Sequence, residues 1–251
     1  MSDPVLDDLV GEAAADAATV GLVLHGSRGA GIARADSDYD VIRVVDDDAY
    51  AWRRAAGRLY ERRADIGIDM LYQSPGRLAW IAEHPDWYTS TYLNARVVLD
   101  RSGAVASALD AIRSTAHDRA AAKLVDYYDR YLVSFSRSLK CWRRGEGLGA
   151  RLNAADSARC LVRVLFAAAG RWAPYPDHLS RELAQLETAL GWQADALAPA
   201  LARLVERGDP ACQQRLERQV TTLLGAHLAD YEPDGAVVLA RAWDFPAGTL
   251  S

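Results

Sequence analysis

Apolar and polar positions alternate in two different ways along this chain, and the change falls near residue 104. Before it, short runs rich in Val, Leu and Ile are bounded by Gly and Asp clusters, the pattern of buried strands. One stretch, TVGLVLHGSRGAGIARADSDYDVIRVV from Thr19 to Val45, holds two such runs. Between them lie a Gly26-Ser27 corner and a Gly- and Arg-rich loop, and Asp38-Tyr39-Asp40 opens the second run. A third run lies in ADIGIDMLYQS around Asp69, and a fourth in ARVVLD, an expected edge strand ending at Asp100. Around these strands, residues 3–17 read as an amphipathic helix. Ala49 to Arg63 reads as a helix with Trp52, Ala56, Leu59 and Tyr60 on one face. Ser74-Pro75 is a cap followed by a first-turn proline, opening a helix through about Glu83. A further helical patch covers Trp87 to Asn94.

From Ala104 onward the period is helical. Leu124, Tyr128, Tyr131, Leu132, Phe135, Leu139 and Trp142 form one apolar stripe on a long helix, with Arg130, Arg137, Lys140 and Arg144 on another face. Gly145-Glu146-Gly147 breaks it. Arg151 to Gly170 reads as a second helix with Leu152, Leu161, Val162, Leu165, Phe166 and Ala169 inward. Two prolines make a loop of Arg171 to His178, shorter helices are expected at about 178–190, 193–207 and 211–228, and the tail with Trp243 and Phe245 is expected to fold back. The reading is therefore an α+β chain: an α/β domain over residues 1–104 and an all-α helical bundle over 105–251.

Composition narrows the function classes. Half of the 251 residues are apolar and a quarter charged, as in ordinary globular proteins. No apolar run has the length of a spanning helix, and the acidic N-terminus lacks the basic region of a signal peptide, so the expected address is the cytoplasm, without a membrane partner. Cys141, Cys160 and Cys212 lack metal-ligand or redox spacing and read as reduced thiols. A net charge of −5 argues against extended nucleic-acid binding, which needs a concentrated basic surface.

The chemistry sits in the Thr19–Val45 stretch. On a strand, Asp38 and Asp40 point the same way and Tyr39 the other. Paired carboxylates repel unless a cation lies between them, and hard oxygen donors suit Mg²⁺, which takes its remaining ligands from water and substrate phosphates. Gly26 lets the backbone turn tightly beside a ligand, and Ser27 offers a hydroxyl and an N–H to phosphate oxygen.

Gly26-Ser27, ten residues, then Asp38-x-Asp40 resembles the signature of the polymerase-beta-like nucleotidyltransferase superfamily, which includes aminoglycoside and lincosamide nucleotidyltransferases. The resemblance implies a mixed sheet and a third carboxylate on a later strand, the place of Asp69. The stretch RSLKCWRRGEGLGARLNAADSARCLVRVLFAAAGRWAPYPDHL, Arg137 to Leu179, is similar in texture to the helical domain of kanamycin-type members. The reaction implied by the resemblance is transfer of a nucleotide, AMP from ATP, to an acceptor hydroxyl with release of pyrophosphate. Two Mg²⁺ ions would be held by Asp38, Asp40 and Asp69, and Gly26, Ser27, Arg28 and Lys140 would meet the triphosphate, with Arg34 a further candidate. The general base is left open among Asp69, Glu83, Asp86 and Glu146. The acceptor implied is a small molecule such as an aminoglycoside-like antibiotic; the other branch in play is the antitoxin type, acting on a protein or tRNA end. His25 reads as structural packing. The Arg171 to His178 spacing fits a toxin ribonuclease motif, but the intervening prolines spoil the helix it requires.

Overall fold

The computed structural model describes residues 3–65 and 67–245, and the chain divides into two units between Ala116 and His117. The first is built on a mixed five-stranded sheet in the order β3-β4-β2-β1-β5. Its strands are β1 Thr19–Leu24, β2 Tyr39–Val45, β3 Tyr60–Arg63, β4 Ile68–Gln73 and β5 Arg96–Asp100. β1 is antiparallel to β2 and β5, β2 is parallel to β4, and β3 is antiparallel to β4.

Period-2 alternation sends the two sides of β2 into two different cores. Tyr39, Val41 and Val45 join Leu22, Met70 and Tyr72 under Leu9 and Ala13 of α1, Pro4–Ala15. On that face Arg43 is buried because its guanidinium donates to Thr19 Oγ1 at 2.8 Å and Asp16 Oδ2 at 2.9 Å. Ile42 and Val44 face the other way, onto Leu78 and Ile81 of α4, Pro75–Glu83, and onto Val105, Leu109 and Ile112 of α6, Ala104–Ala122. Ser74 caps α4 by accepting from the Arg77 N–H, as the Ser-Pro pair predicts. The change of period at residue 104 marks the start of α6, but the front of that helix packs on the sheet, so the division between units falls inside it.

The helix expected over Ala49–Arg63 is wrong in its second half. Helix α3 spans Asp47–Ala55, with Asp46 as its cap and Asp47 and Asp48 in the first turn. Gly57, at φ +67, turns the chain, and Tyr60–Arg63 becomes the edge strand β3. Trp52 and Tyr60, expected on one face of a single helix, fall in different elements, and both are exposed. Short helical pieces follow β4 and α4, at Trp87–Thr89 and in α5, Ser90–Leu93, before β5 takes the opposite edge.

In the second unit the apolar stripe is buried from Leu124 to Leu139 along α7, Leu124–Arg143, with Trp142 only half-buried, and α7 packs on α8, Gly147–Ala168. Helix α8 starts four residues earlier than the pattern suggested, and Leu152, expected inward, is exposed. Then come α9 Leu179–Ala189, α10 Leu197–Arg207 and α11 Pro210–Leu224. The tail does fold back, and it contains a helix that the pattern did not reveal, α12, Gly235–Ala242. Gln214 donates to the carbonyls of Ala240 and Trp243, and the Arg143 guanidinium lies 4.7 Å from the Trp243 ring.

Arg241 on α12 donates to the buried carboxylate of Glu217 at 2.6 and 3.0 Å, and Thr221 donates to the same oxygen at 2.7 Å. Removing one partner of such a pair leaves a charge in apolar surroundings. Arg241→Ala is therefore expected to destabilise the protein by about 3 kcal/mol, measured by urea unfolding; a loss within about 0.5 kcal/mol, the scale of ordinary surface changes, would show that Glu217 does not depend on Arg241.

Candidate functional site

The corner after β1 is built from its backbone outward. Gly26 has φ +61, a conformation that glycine adopts without strain, and a Cβ there would overlap Asp40 Oδ2. The carboxylate of Asp40 therefore fills the space that a side chain at position 26 would take. His25 N–H donates to the Asp40 carbonyl at 2.9 Å, holding the corner against β2. Gly26–Gly29 forms a single helical turn, α2, with Ser27 half-buried in it. Arg28 reaches back from this turn across the loop: its guanidinium donates to the carbonyls of Ser37, at 2.7 and 3.1 Å, and Asp38, at 3.2 Å, and lies 3.8 Å from the Tyr39 ring. In this arrangement Arg28 closes the loop in front of β2.

Asp40 on β2 is paired in register with Asp69 on β4. Neighbouring strands lie about 4.8 Å apart, and directly paired residues share a face. The face is that of Ile42 and Val44. Asp38 precedes β2, and its Oδ1 lies against Gly67, where a Cβ would stand 2.9 Å away. Asp69, the place of the third carboxylate implied by the resemblance, thus pairs in backbone register with Asp40, while Asp38 lies one residue before the paired segment.

Their side chains, however, are splayed. Asp40 leans on Gly26, Asp38 on Gly67, and Asp69 Oδ1 accepts a hydrogen bond from the Tyr60 hydroxyl and lies 3.7 Å from Arg62 Nε. The hydrogen bond to Asp69 is the main cause that raises the Tyr60 phenol above its usual range. Among the described residues no three His, Cys, Asp or Glu side chains stand together as a ready-made metal cage. The donor set still fits Mg²⁺, which needs one or two protein carboxylates and takes its other oxygens from water and phosphate.

The other candidates are distributed differently. Arg34 is exposed in the loop, where its backbone N–H donates to Ser37 Oγ. Glu83 is exposed at the end of α4, and Asp86 caps the turn at Trp87–Thr89. Lys140 and Glu146 belong to the second unit, Lys140 exposed in the last turn of α7 and Glu146 at the N-cap of α8. The His178 side chain lies outside the described residues. Cys141 and Cys160 are half-buried, Cys212 is buried, and all three are free. Tyr60 and Arg62 were missed, because a helical reading of Ala49–Arg63 gives them no access to Asp69. Gly57, as a helix stop, was the signal that could have exposed the strand.

The chain is an α+β protein whose sheet carries an in-register acid pair beside a Gly-Ser corner. No protein-family model matches it, and no curated protein matches it. A solved structure to which it is similar is that of a nucleotidyltransferase-like protein from Exiguobacterium sibiricum, at 11% identity over 95% of this chain and 86% of that chain, with a TM-score of 0.44. No helix among the described residues is long and apolar enough to cross a membrane.

The corner generates two expected outcomes. Gly26→Ala meets both the left-handed conformation and the Asp40 carboxylate and is expected to cost about 1–3 kcal/mol, read from denaturant melts; unchanged stability would show that the corner relaxes freely. Burial pushes the His25 imidazole down to about 4 from 6.5. Between these values the unfolded chain binds the proton and the folded one does not, so the stability held above pH 6.5 is lost as pH falls toward 4. The slope from this group approaches about 1.4 kcal/mol per pH unit, and His25→Gln should flatten it; an unchanged slope would assign the acid sensitivity elsewhere.

Proposed function

We propose that the protein is a divalent-metal-dependent nucleotidyltransferase, moving a nucleotide, AMP from ATP, to a hydroxyl of a small acceptor such as an aminoglycoside-like antibiotic. The observation that carries this reading is the parallel register of Asp40 with Asp69 on one sheet face, with the Asp40 carboxylate against Gly26. The resemblance of Gly26-Ser27 and Asp38-x-Asp40 to the superfamily signature supports it.

In this reading Asp38, Asp40 and Asp69 would hold Mg²⁺, which would supply Lewis-acid stabilisation of charge on the transferring α-phosphate. Ser27 and the backbone of the corner orient the phosphates. The acceptor oxygen forms a bond to the α-phosphorus, the bond from that phosphorus to the β-phosphate oxygen breaks, and pyrophosphate leaves. The hydroxyl proton passes to a carboxylate within reach; of the candidate bases Asp69, Glu83, Asp86 and Glu146, Asp69 is the one on the sheet face of the acid pair. Asp86 is already engaged as a helix-turn cap, which makes it a poorer base.

Pyrophosphate release in a screen of NTPs against acceptors tests the reading. Activity is expected with Mg²⁺ or Mn²⁺, and Asp40→Asn should lower it by more than the roughly 10–100-fold that loss of a supporting partner costs at a metal site. Full turnover by Asp40→Asn would overturn the assignment. Transfer to a protein or tRNA end in the same screen would keep the chemistry and replace the acceptor.

A further inference from the structure

Asp69 carries its own counter-charge. On the edge strand β3, Arg62 is paired with Asp69 and Tyr60 with Leu71, so both side chains emerge on the face that holds the acids. The Tyr60 hydroxyl donates to Asp69 Oδ1, and Arg62 Nε stands 3.7 Å from the same oxygen. The Arg62 side chain is 57% exposed and that of Asp69 only 23%. A divalent cation arriving at Asp69 must share the carboxylate with a guanidinium, and two cations on one carboxylate repel each other. The cation comes, however, with a polyanionic triphosphate, and an exposed arginine with a planar fork is suited to bind phosphate oxygens.

We propose, on the nucleotidyltransferase reading above, that Tyr60 and Arg62 hold Asp69 aside while nucleotide is absent, and that Arg62 transfers from Asp69 to the triphosphate when the metal-bound nucleotide enters. Arg62 is then a substrate-binding residue, and Tyr60 a positioning residue that acts through Asp69. In the exchange each charge keeps a partner of opposite sign: Asp69 trades a guanidinium for a metal ion, and the guanidinium trades a carboxylate for phosphate. It also makes the free protein a poor binder of the bare ion, so that metal and nucleotide load together.

The test measures binding, without turnover, in the full chain. Mn²⁺ alone is titrated by the electron paramagnetic resonance signal of the free ion, and Mn²⁺ with a non-hydrolysable ATP analogue by calorimetry, beside thermal melts. Arg62→Ala should bind Mn²⁺ alone more tightly, by about two- to fivefold, the scale of an exposed ion pair. It should bind the Mn²⁺–nucleotide complex more weakly, by about tenfold or more, the scale of a charge-assisted hydrogen bond. Tyr60→Phe should tighten Mn²⁺ alone and leave nucleotide affinity nearly unchanged. A merely structural role for Arg62 would move both affinities in the same direction, and that result, or no change in either, overturns the exchange while leaving the enzyme reading standing. Wild-type protein that binds neither Mn²⁺ nor the complex overturns both.

Discussion

The parallel pairing of β2 with β4 is the constraint on which the sheet unit turns. Chain order alone would allow these strands to lie apart, but α3 and β3 bring the chain back so that Asp40 and Asp69 occupy neighbouring positions on one face. Two carboxylates about one strand spacing apart are unfavourable by themselves. The surrounding residues accommodate that strain locally: Gly26 and Gly67 leave room for the carboxylates of Asp40 and Asp38, and Tyr60 and Arg62 engage Asp69. The buried faces of the same strands, packed under α1 on one side and under α4 and α6 on the other, hold the acids in place through ordinary hydrophobic burial.

This arrangement separates what is rigid from what can change. The strand register and the Gly26 corner are fixed by backbone pairing and by a close approach that no larger residue allows. The carboxylates themselves lie at the partly exposed ends of the strands, where side-chain rotation can exchange one partner for another. A site of this kind is preorganised in its backbone and adjustable in its charges, as the proposed exchange of Arg62 requires.

Much of the sheet was legible because its strands are short apolar runs with sharp Gly and Asp boundaries. Ser74-Pro75 announced α4, and the stripe from Leu124 to Leu139 announced α7. The placing of Asp40 and Asp69 on neighbouring strands was legible because each lies at the start of a short apolar run. β3 was not, because Tyr60-Glu61-Arg62-Arg63 is a polar edge strand with little apolar signal, directly after a run of good helix formers. With β3 went the partners of Asp69. Leu152 was misplaced because an exposed leucine in α8 has the same helical period as a buried one, and α12 was hidden in a tail whose packing depends on Gln214 and Glu217 far away in sequence.

The most direct test of the account is a crystal structure of the protein with Mn²⁺ and a non-hydrolysable nucleoside triphosphate. One ion is expected within about 2.1 Å of oxygens from both Asp40 and Asp69, the distance of a hexacoordinate hard-cation site, with phosphate oxygens against the Gly26-Ser27 corner. Nucleotide and ion bound away from these two carboxylates, with Asp69 still on Tyr60, would contradict it.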